Sequence, residues 1–412
     1  MIKIYNSQTH EWQNVDGVKK YQSNSWKKLP VFIYHNSKWK PAYKRTGIYG
    51  MKWYFSGGSE RTDESLNLPQ IDPRPYNPSL TKAPYSPFDF AYPWSNIVRA
   101  GSQGYGAGEL VYIPKYYYKW TVTNDYIQLQ ISDSAQTGFS TSPAHADRGM
   151  GREGDDVFVG RYLCAGSNGN SDTNSEIKIY KGINNFGHKA SQSPVWGYDF
   201  AMHYTIAMLC LVEFGTWNPH TIIGAGNGDG GRTGATDSMP YHTGITTNDR
   251  MQYRYIEDLW CYEGQFTHGA RRVAYDVDNN CPLYSTNNPV NYVRLQNSYS
   301  SWTSKIFNST PTVSSVKFVD EFEFPSNSDF AYFPNPSSLA SSGSTFGVPY
   351  KVFYRESTGG VTSSDEIYIM GEADDNDNIN KSIYGMSGLK YESLTSNGAH
   401  RRWQVIPHAP RS

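Results

Sequence analysis

One stretch of this chain has the spacing of a long helix, and its surroundings do not. In DFAMHYTIAMLCLVEF, Asp199–Phe214, apolar residues recur at 202, 206, 209 and near 213, the period of one helix face. Asp199 suits an N-cap and Gly215 a C-terminal stop. Cys210 falls in the apolar stripe and reads as a core thiol. After Gly215 the chain reads as short strands and long loops, with two Gly-rich turns, GAGNGDGG and STGG. Before the helix, prolines at 69, 73, 75, 78, 84, 87 and 93 exclude a long helix or a central strand from that stretch. What remains is an α+β, β-rich fold.

Two β-rich runs flank the turn TNDY in GELVYIPKYYYKWTVTNDYIQLQISD. They predict a hairpin of Leu110–Val122 with Tyr126–Ser132. Pro114 places a bulge or an edge within its first strand. The preceding stretch, LPQIDPRPYNPSLTKAPYSPFDFAYPW, reads as an ordered, irregular connector, because Phe88, Phe90, Tyr92 and Trp94 need burial.

The segment YQSNSWKKLPVFIYHNSKWKPAYK holds a small unit twice: Tyr21 and Tyr34 are 13 residues apart, as are Trp26 and Trp39. Each unit reads as short strands joined by a polar turn. Such hairpins are marginal alone, so they are expected to pack on a partner or on copies of themselves. Residues 1–45 carry nine Lys/Arg against Glu11 and Asp16. A disordered basic tail is the competing reading, and the recurring Trp and Tyr argue against it.

Composition narrows the function classes. Aromatics make up 15% of the chain, with 33 Tyr, while charged residues make up 18% against a usual ~25%. Tyr, Ser, Gly and Asn are the residues that paratope-like surfaces favour; a β protein with long loops would show the same bias. With a net charge of −1, no global field favours nucleic acid or an anionic membrane. MIKIYNSQTHEW lacks the apolar stretch of a Sec signal, and no run has the ~20 apolar residues of a membrane helix. Cys164, Cys210, Cys261 and Cys281 have neither C-x-x-C nor metal spacing. An adhesin-like composition without an export signal is consistent with synthesis in a cytosol and release by lysis.

The chemical motifs are weak. DDNDN clusters oxygen ligands, but Ile379 stands where a Ca²⁺ loop of the EF-hand type needs Gly; a solvated acidic loop is the alternative. GAGNGDGG has no following Lys-Ser/Thr and reads as a turn-rich loop. His145, Asp147, Asp155 and Asp156 are near one another in sequence, with nothing to fix a catalytic geometry. The chain is expected not to be an enzyme. No cofactor or metal is expected, Ca²⁺ being the one alternative.

The order of several motifs resembles bacteriophage tail and fibre proteins that carry a C-type lectin-like domain, a group that includes the retroelement-diversified adhesins and their major tropism determinants. The matching pieces are YGMKW…ERTDE (Tyr49–Glu64), FDFAYPWSNI (Phe88–Ile97), VYIPKYYYKW (Val111–Trp120) and IQLQISD…GFSTSPAHADRG (Ile127–Gly149). DDVFVGRY (Asp155–Tyr162), VWGYDFAMHYTIAMLCLVEFGTWNPHTIIGAGNG (Val195–Gly228), YRYIEDLW (Tyr253–Trp260) and YGMSGLKYESLTSNGAHRRWQVIP (Tyr384–Pro407) follow. The chain departs from the pattern at CYEGQFTHGARRV, after Trp260, and in a Ser/Asn/Pro-rich stretch between Asn287 and Phe346. The Glu-Pro-Asn or Gln-Pro-Asp triplet of lectin sugar sites is not found. The formylglycine-generating enzyme shares this fold, but its reactive cysteine pair has no counterpart here.

The resemblance implies three parts: a Tyr/Trp repeat module over 1–45, a Pro/aromatic-rich connector over 46–108, and a C-type lectin-like domain over 109–412 with a loop insertion at about 287–346. It implies a non-enzymatic virion protein, of tail fibre or tail tip, made in the host cytoplasm. Such a protein recognises a host cell-surface glycan or protein and contacts other phage structural proteins. It binds no nucleic acid, inserts into no membrane and assembles as a homotrimer. A decoration or head-fibre protein, or a glycan depolymerase, are the alternatives. Receptor contacts are expected in Tyr368–Trp403, from Asp374, Asp375, Asn376, Asp377, Asn378, Tyr384, Tyr391, Ser393, Asn397 and His400, with Trp403 either an anchor or core. Ile383, Met386 and Leu389 are expected in the core. Attachment to the virion is expected from Trp12, Tyr21, Trp26, Tyr34 and Trp39. Glu213 and Asn218 are expected to be buried scaffold, the Glu satisfying loop amides.

Overall fold

The computed structural model describes, with side chains, residues 47–62, 86–149 (87 and 90 by backbone only), 151–165, 171, 194–216, 222–223, 232–237, 251–259, 267–268 and 402–408; other strand and helix residues are described by backbone. It is β-rich, with one long α-helix among several antiparallel sheets.

Two five-stranded sheets and the helix share one core. The first sheet runs in the order Val195–Gly197, Trp403–Val405, Asp156–Gly160, Leu110–Pro114, Val98–Gly101. The second runs Ser140–Thr141, Tyr117–Val122, Tyr126–Ser132, Ile48–Tyr54, Ser59–Arg61. In YIQLQIS the period-two alternation buries Ile127, Leu129 and Ile131 while the intervening glutamines are half-buried. Those three stand opposite Trp53, Met51 and Tyr49, so the core-facing sides of both strands coincide. The inner strands of the first sheet are buried on both faces. Val111, Ile113, Val157 and Val159 join the main core, while Leu110, Phe158 and Val405 join a smaller cluster with Trp403.

The expected hairpin divides. Tyr117–Val122 pairs with Tyr126–Ser132 as its sequence predicts. Leu110–Pro114 instead belongs to the other sheet and pairs with Asp156–Gly160. Pro114 therefore ends a strand rather than bulging one, and the chain changes sheets across Lys115–Tyr116. A proline lacks the amide to continue the ladder.

The helix, α1, spans Phe200–Phe214, and all fifteen residues are buried. It is not the one-sided helix its spacing suggests, because it packs on Ile48–Tyr54, on Tyr126–Ser132 and on strand Glu263–Arg272. Its ends follow the predicted caps. Asp199 accepts the Met202 amide at 2.9 Å, and Gly215 adopts φ 69°. Arg61 donates to the carbonyls of Val212 at 2.8 Å and Glu213 at 2.7 Å, and the Trp53 indole donates to Gly215 O at 3.0 Å. These supply partners that a helix C-terminus lacks. At the other end, Arg148 pairs with Asp199 at 2.6 Å with both side chains fully buried, and Gln404 donates to the same carboxylate at 2.6 Å.

The stretch expected as a connector supplies part of this body. Ile48–Tyr54 is an internal strand. Phe88 and Trp94 are fully buried, Trp94 donating to Leu209 O at 3.0 Å, while Tyr92 is half-buried. Two short 3-10 turns, Pro87–Phe90 and Trp94–Asn96, lie among the described residues beside Pro87 and Pro93.

Beyond the body lies an eight-stranded sheet in the order Ser304–Phe307, Leu283–Ser285, Glu263–Arg272, Glu366–Glu372, Leu389–Ser393, Lys351–Val352, Lys317–Glu323, Asn335–Ala340. The segment expected as a loop insertion thus holds three of its strands. The His268 amide donates to Tyr198 O at 2.9 Å, tying this sheet to the start of α1. At the front of the chain, three two-stranded hairpins replace the two expected: Ile2–Asn6 with Glu11–Val15, Val18–Gln22 with Ser25–Leu29, and Phe32–His35 with Lys38–Pro41. The register sets Tyr5 opposite Trp12, Tyr21 opposite Trp26 and Tyr34 opposite Trp39.

Candidate functional site

Of the residues expected to meet a receptor, the structure describes the backbone of Tyr391 and Ser393. Glu366–Glu372 and Leu389–Ser393 are adjacent antiparallel strands, with Met370 opposite Leu389 and Tyr368 opposite Tyr391. The chain between them, 373–388, contains Asp374, Asp375, Asn376, Asp377, Asn378 and Tyr384. Hairpin connections are usually 2–5 residues long, and longer ones are commonly functional. Tyr391 lies within the second strand, and Ser393 ends it opposite Glu366. The positions of 374–378, Tyr384, Asn397, His400, Ile383 and Met386 fall outside the described residues, as do the side chains of Tyr391, Ser393 and Leu389. Gly398–Ala399, between Asn397 and His400, pairs with Tyr180–Lys181.

Where the chain returns to the body, its placement is fixed. Arg402 is fully buried and donates to Gly160 O at 2.7 Å, to Glu257 O at 2.7 Å and to Asp258 O at 2.8 Å. Trp403 is 8% exposed and belongs to the core rather than to a binding surface. Sequence reading passed over Arg402, one of two adjacent arginines before the buried strand Trp403–Val405.

The same turn region holds a second loop. Glu257 accepts the amides of Gly234 at 2.9 Å and Thr236 at 3.0 Å, and the Thr236 hydroxyl at 2.7 Å. Arg161 pairs with Asp237 at 2.7 Å, and the Tyr162 hydroxyl donates to the same carboxylate. Arg254, Tyr255 and Asp258 hold positive φ values, a conformation non-glycine residues keep only when surroundings over-determine it. Loop amides are therefore satisfied by Glu257.

Glu213 is the buried hydrogen-bonding scaffold expected of it, and it gathers side chains from several elements. It accepts from Ser86 Oγ at 2.6 Å, from Tyr253 OH at 3.0 Å, and from Arg254 Nε at 2.7 Å and Nη2 at 2.6 Å. Arg254 also reaches Trp94 O and Asp89 Oδ1, both at 3.2 Å. Burial, then the Glu213 charge, pushes the Tyr253 phenol well above its ordinary pKa, so it acts as a donor. A fully buried carboxylate persists only with such pairing. Asn218 falls outside the described residues.

Of the histidine and aspartates weighed for catalysis, His145, Asp147 and Asp155 have the following partners. Both ring nitrogens of His145 are engaged, one with Ser142 Oγ at 2.8 Å and one with Ile113 O at 3.1 Å, and burial pushes its pKa down to about 3. Asp147 accepts the Gly151 amide at 2.9 Å, and Asp155 pairs with Lys115 at 3.2 Å. Burial pushes the Cys210 thiol well up, which makes it an inert core group. Among the described residues no cluster of His, Cys, Asp and Glu is placed to hold a metal, and no helix is long and apolar enough to cross a membrane.

The Ser142–His145 contact is fully buried, and the arrangement described can hold loops. Compared with family models, curated proteins and solved structures, the chain matches none.

Proposed function

We propose that this chain is a phage virion protein, of tail fibre or tail tip, that recognises a host cell-surface glycan or protein through loops on a C-type lectin-like body. The observation that carries the reading is the 373–388 connection. It is long, rich in Asp and Asn, and joins two paired strands, a place where binding residues are often carried. A homotrimer would multiply weak individual contacts through effective concentration.

The test replaces 373–388 by a short Asn-Gly turn in the full chain and measures binding to bacterial cells and a glycan array. Loss of binding with an unchanged thermal midpoint is the expected result. Undiminished binding by the shortened chain would overturn the proposal. So would release of oligosaccharide from envelopes, which would make the chain a depolymerase.

A further inference from the structure

The turn that braces residues 232–237 also brings three chemically complementary groups together. Gln252–Tyr253 and Ile256–Glu257 are short antiparallel strands with Gln252 directly opposite Glu257. Residues so paired project from one face of the ladder, about 5 Å apart at Cβ. From the loop, the Thr236 hydroxyl reaches both, at 2.7 Å from Glu257 Oε2 and 3.3 Å from Gln252 Oε1. Thr236 and Gln252 are fully buried, and Glu257 is 1% exposed.

A hydroxyl has one proton to give. The shorter contact assigns it to the carboxylate, which turns a lone pair of the oxygen towards the Gln252 carboxamide. Glu257 thus stands as base to a Thr oxygen held beside an acyl group. The buried Arg161 has its Nη2 3.5 Å from Gln252 Oε1, the atom on which negative charge develops when a carboxamide is attacked. Such contacts are often long before reaction and tighten in the transition state.

The loop is clamped on both sides of the hydroxyl. Arg161 Nη2 donates to Asp237 at 2.7 Å, and Glu257 accepts the Gly234 and Thr236 amides at 2.9 and 3.0 Å. Fixing a nucleophile next to its target supplies much of what an intramolecular reaction needs. A loop brace requires the Glu257 carboxylate; it does not require a carboxamide beside the hydroxyl.

We propose that the folded chain joins Thr236 to Gln252 through a side-chain ester, formed once per molecule. Thr236 Oγ1 attacks Gln252 Cδ while Glu257 takes the hydroxyl proton, and the tetrahedral oxyanion forms beside Arg161. Glu257 then returns the proton to the amide nitrogen, the C–N bond breaks and ammonia leaves. An Oγ1–Cδ bond has replaced the C–N bond, the carboxylate is regenerated, and no oxidant, reductant or cofactor enters the balance. Ammonia becomes ammonium in bulk water and is lost as a nucleophile, while burial keeps water from the ester. The bond closes a ring from 236 to 252 and locks the loop to the strand. It does not depend on the receptor reading.

The test is a tryptic map by mass spectrometry of the full chain, folded and then denatured for digestion. Cleavage after Arg232, Arg250 and Arg254 releases Thr233–Arg250 and Met251–Arg254. The expected product is one branched species holding both, lighter than the two together by one ammonia and split by hydroxylamine. Succinimides at the Asn-Gly pairs of Asn168, Asn227 and Asn397 also lose ammonia but leave the two peptides separate. Thr236→Val and Glu257→Gln should give the separate peptides at full mass, and Thr236→Ser should keep the branched one. Separate peptides from the wild-type chain would overturn the proposal, however the variants fold. So would a branched peptide that survives Thr236→Val.

Discussion

Glu213, at the end of the buried helix, and Arg254, in a turn of positive φ, meet through two charge-assisted hydrogen bonds of 2.7 and 2.6 Å. Through this pair, Ser86, Asp89, Trp94 and Tyr253 are tied to the helix C-terminus.

Removing one partner leaves the other charge buried. Glu213→Ala is expected to cost about 3–5 kcal/mol in urea unfolding. A double replacement by Leu and Met should cost less than the single one, because an apolar pair carries no desolvation penalty. Equal losses would show that the carboxylate acts through packing alone.

Trp94 fills the centre of the aromatic cluster. Its ring centroid lies 4.5 Å from Phe88 and 5.3 Å from Tyr49, and its indole bonds the helix backbone. Trp94→Ala should cost about 3–5 kcal/mol, and Trp94→Phe less. Retention of the wild-type midpoint would remove this residue from the core.

Acid should weaken the body before carboxylates titrate. Burial lowers His145 to about 3 and, with the neighbouring cations Arg148, Arg152 and Lys115, lowers His408 to about 4. The unfolded chain takes up these protons near pH 6.5 and the native one refuses them. Stability is therefore full above about 6.5 and falls as pH drops towards 4 and then 3, at up to about 1.4 kcal/mol per pH unit for His145. Urea midpoints between pH 7.5 and 5 should decline, and His145→Gln should flatten the decline. A level midpoint over that range would contradict the placement.

Gly154 lies against the His408 ring so closely that a Cβ there would overlap it. Gly154→Ala should lower the thermal midpoint, and His408→Ala in the same chain should recover part of the loss. Additive effects would mean that the two sites do not touch.

Local rules reached some of this and missed the rest. The helix and both caps were legible because Asp199 and Gly215 act on their nearest neighbours. The alternation of YIQLQIS was legible for the same reason. The sheet change at Pro114 was not, because which sheet Leu110 joins depends on Phe158 and Val405, far along the chain. Glu257 and Arg402 were equally hidden, since each is defined by carbonyls or amides brought to it by folding. The acidic run after Glu372 falls outside the described residues.

Trp403–Val405 is an inner strand, clasped between Val195–Gly197 and Asp156–Gly160. The body's first sheet therefore stays open on the ribosome until residue 405 has emerged. Because 373–388 is translated earlier, a frameshift or stop within it also deletes that strand. A chain cut there cannot complete the five-stranded sheet.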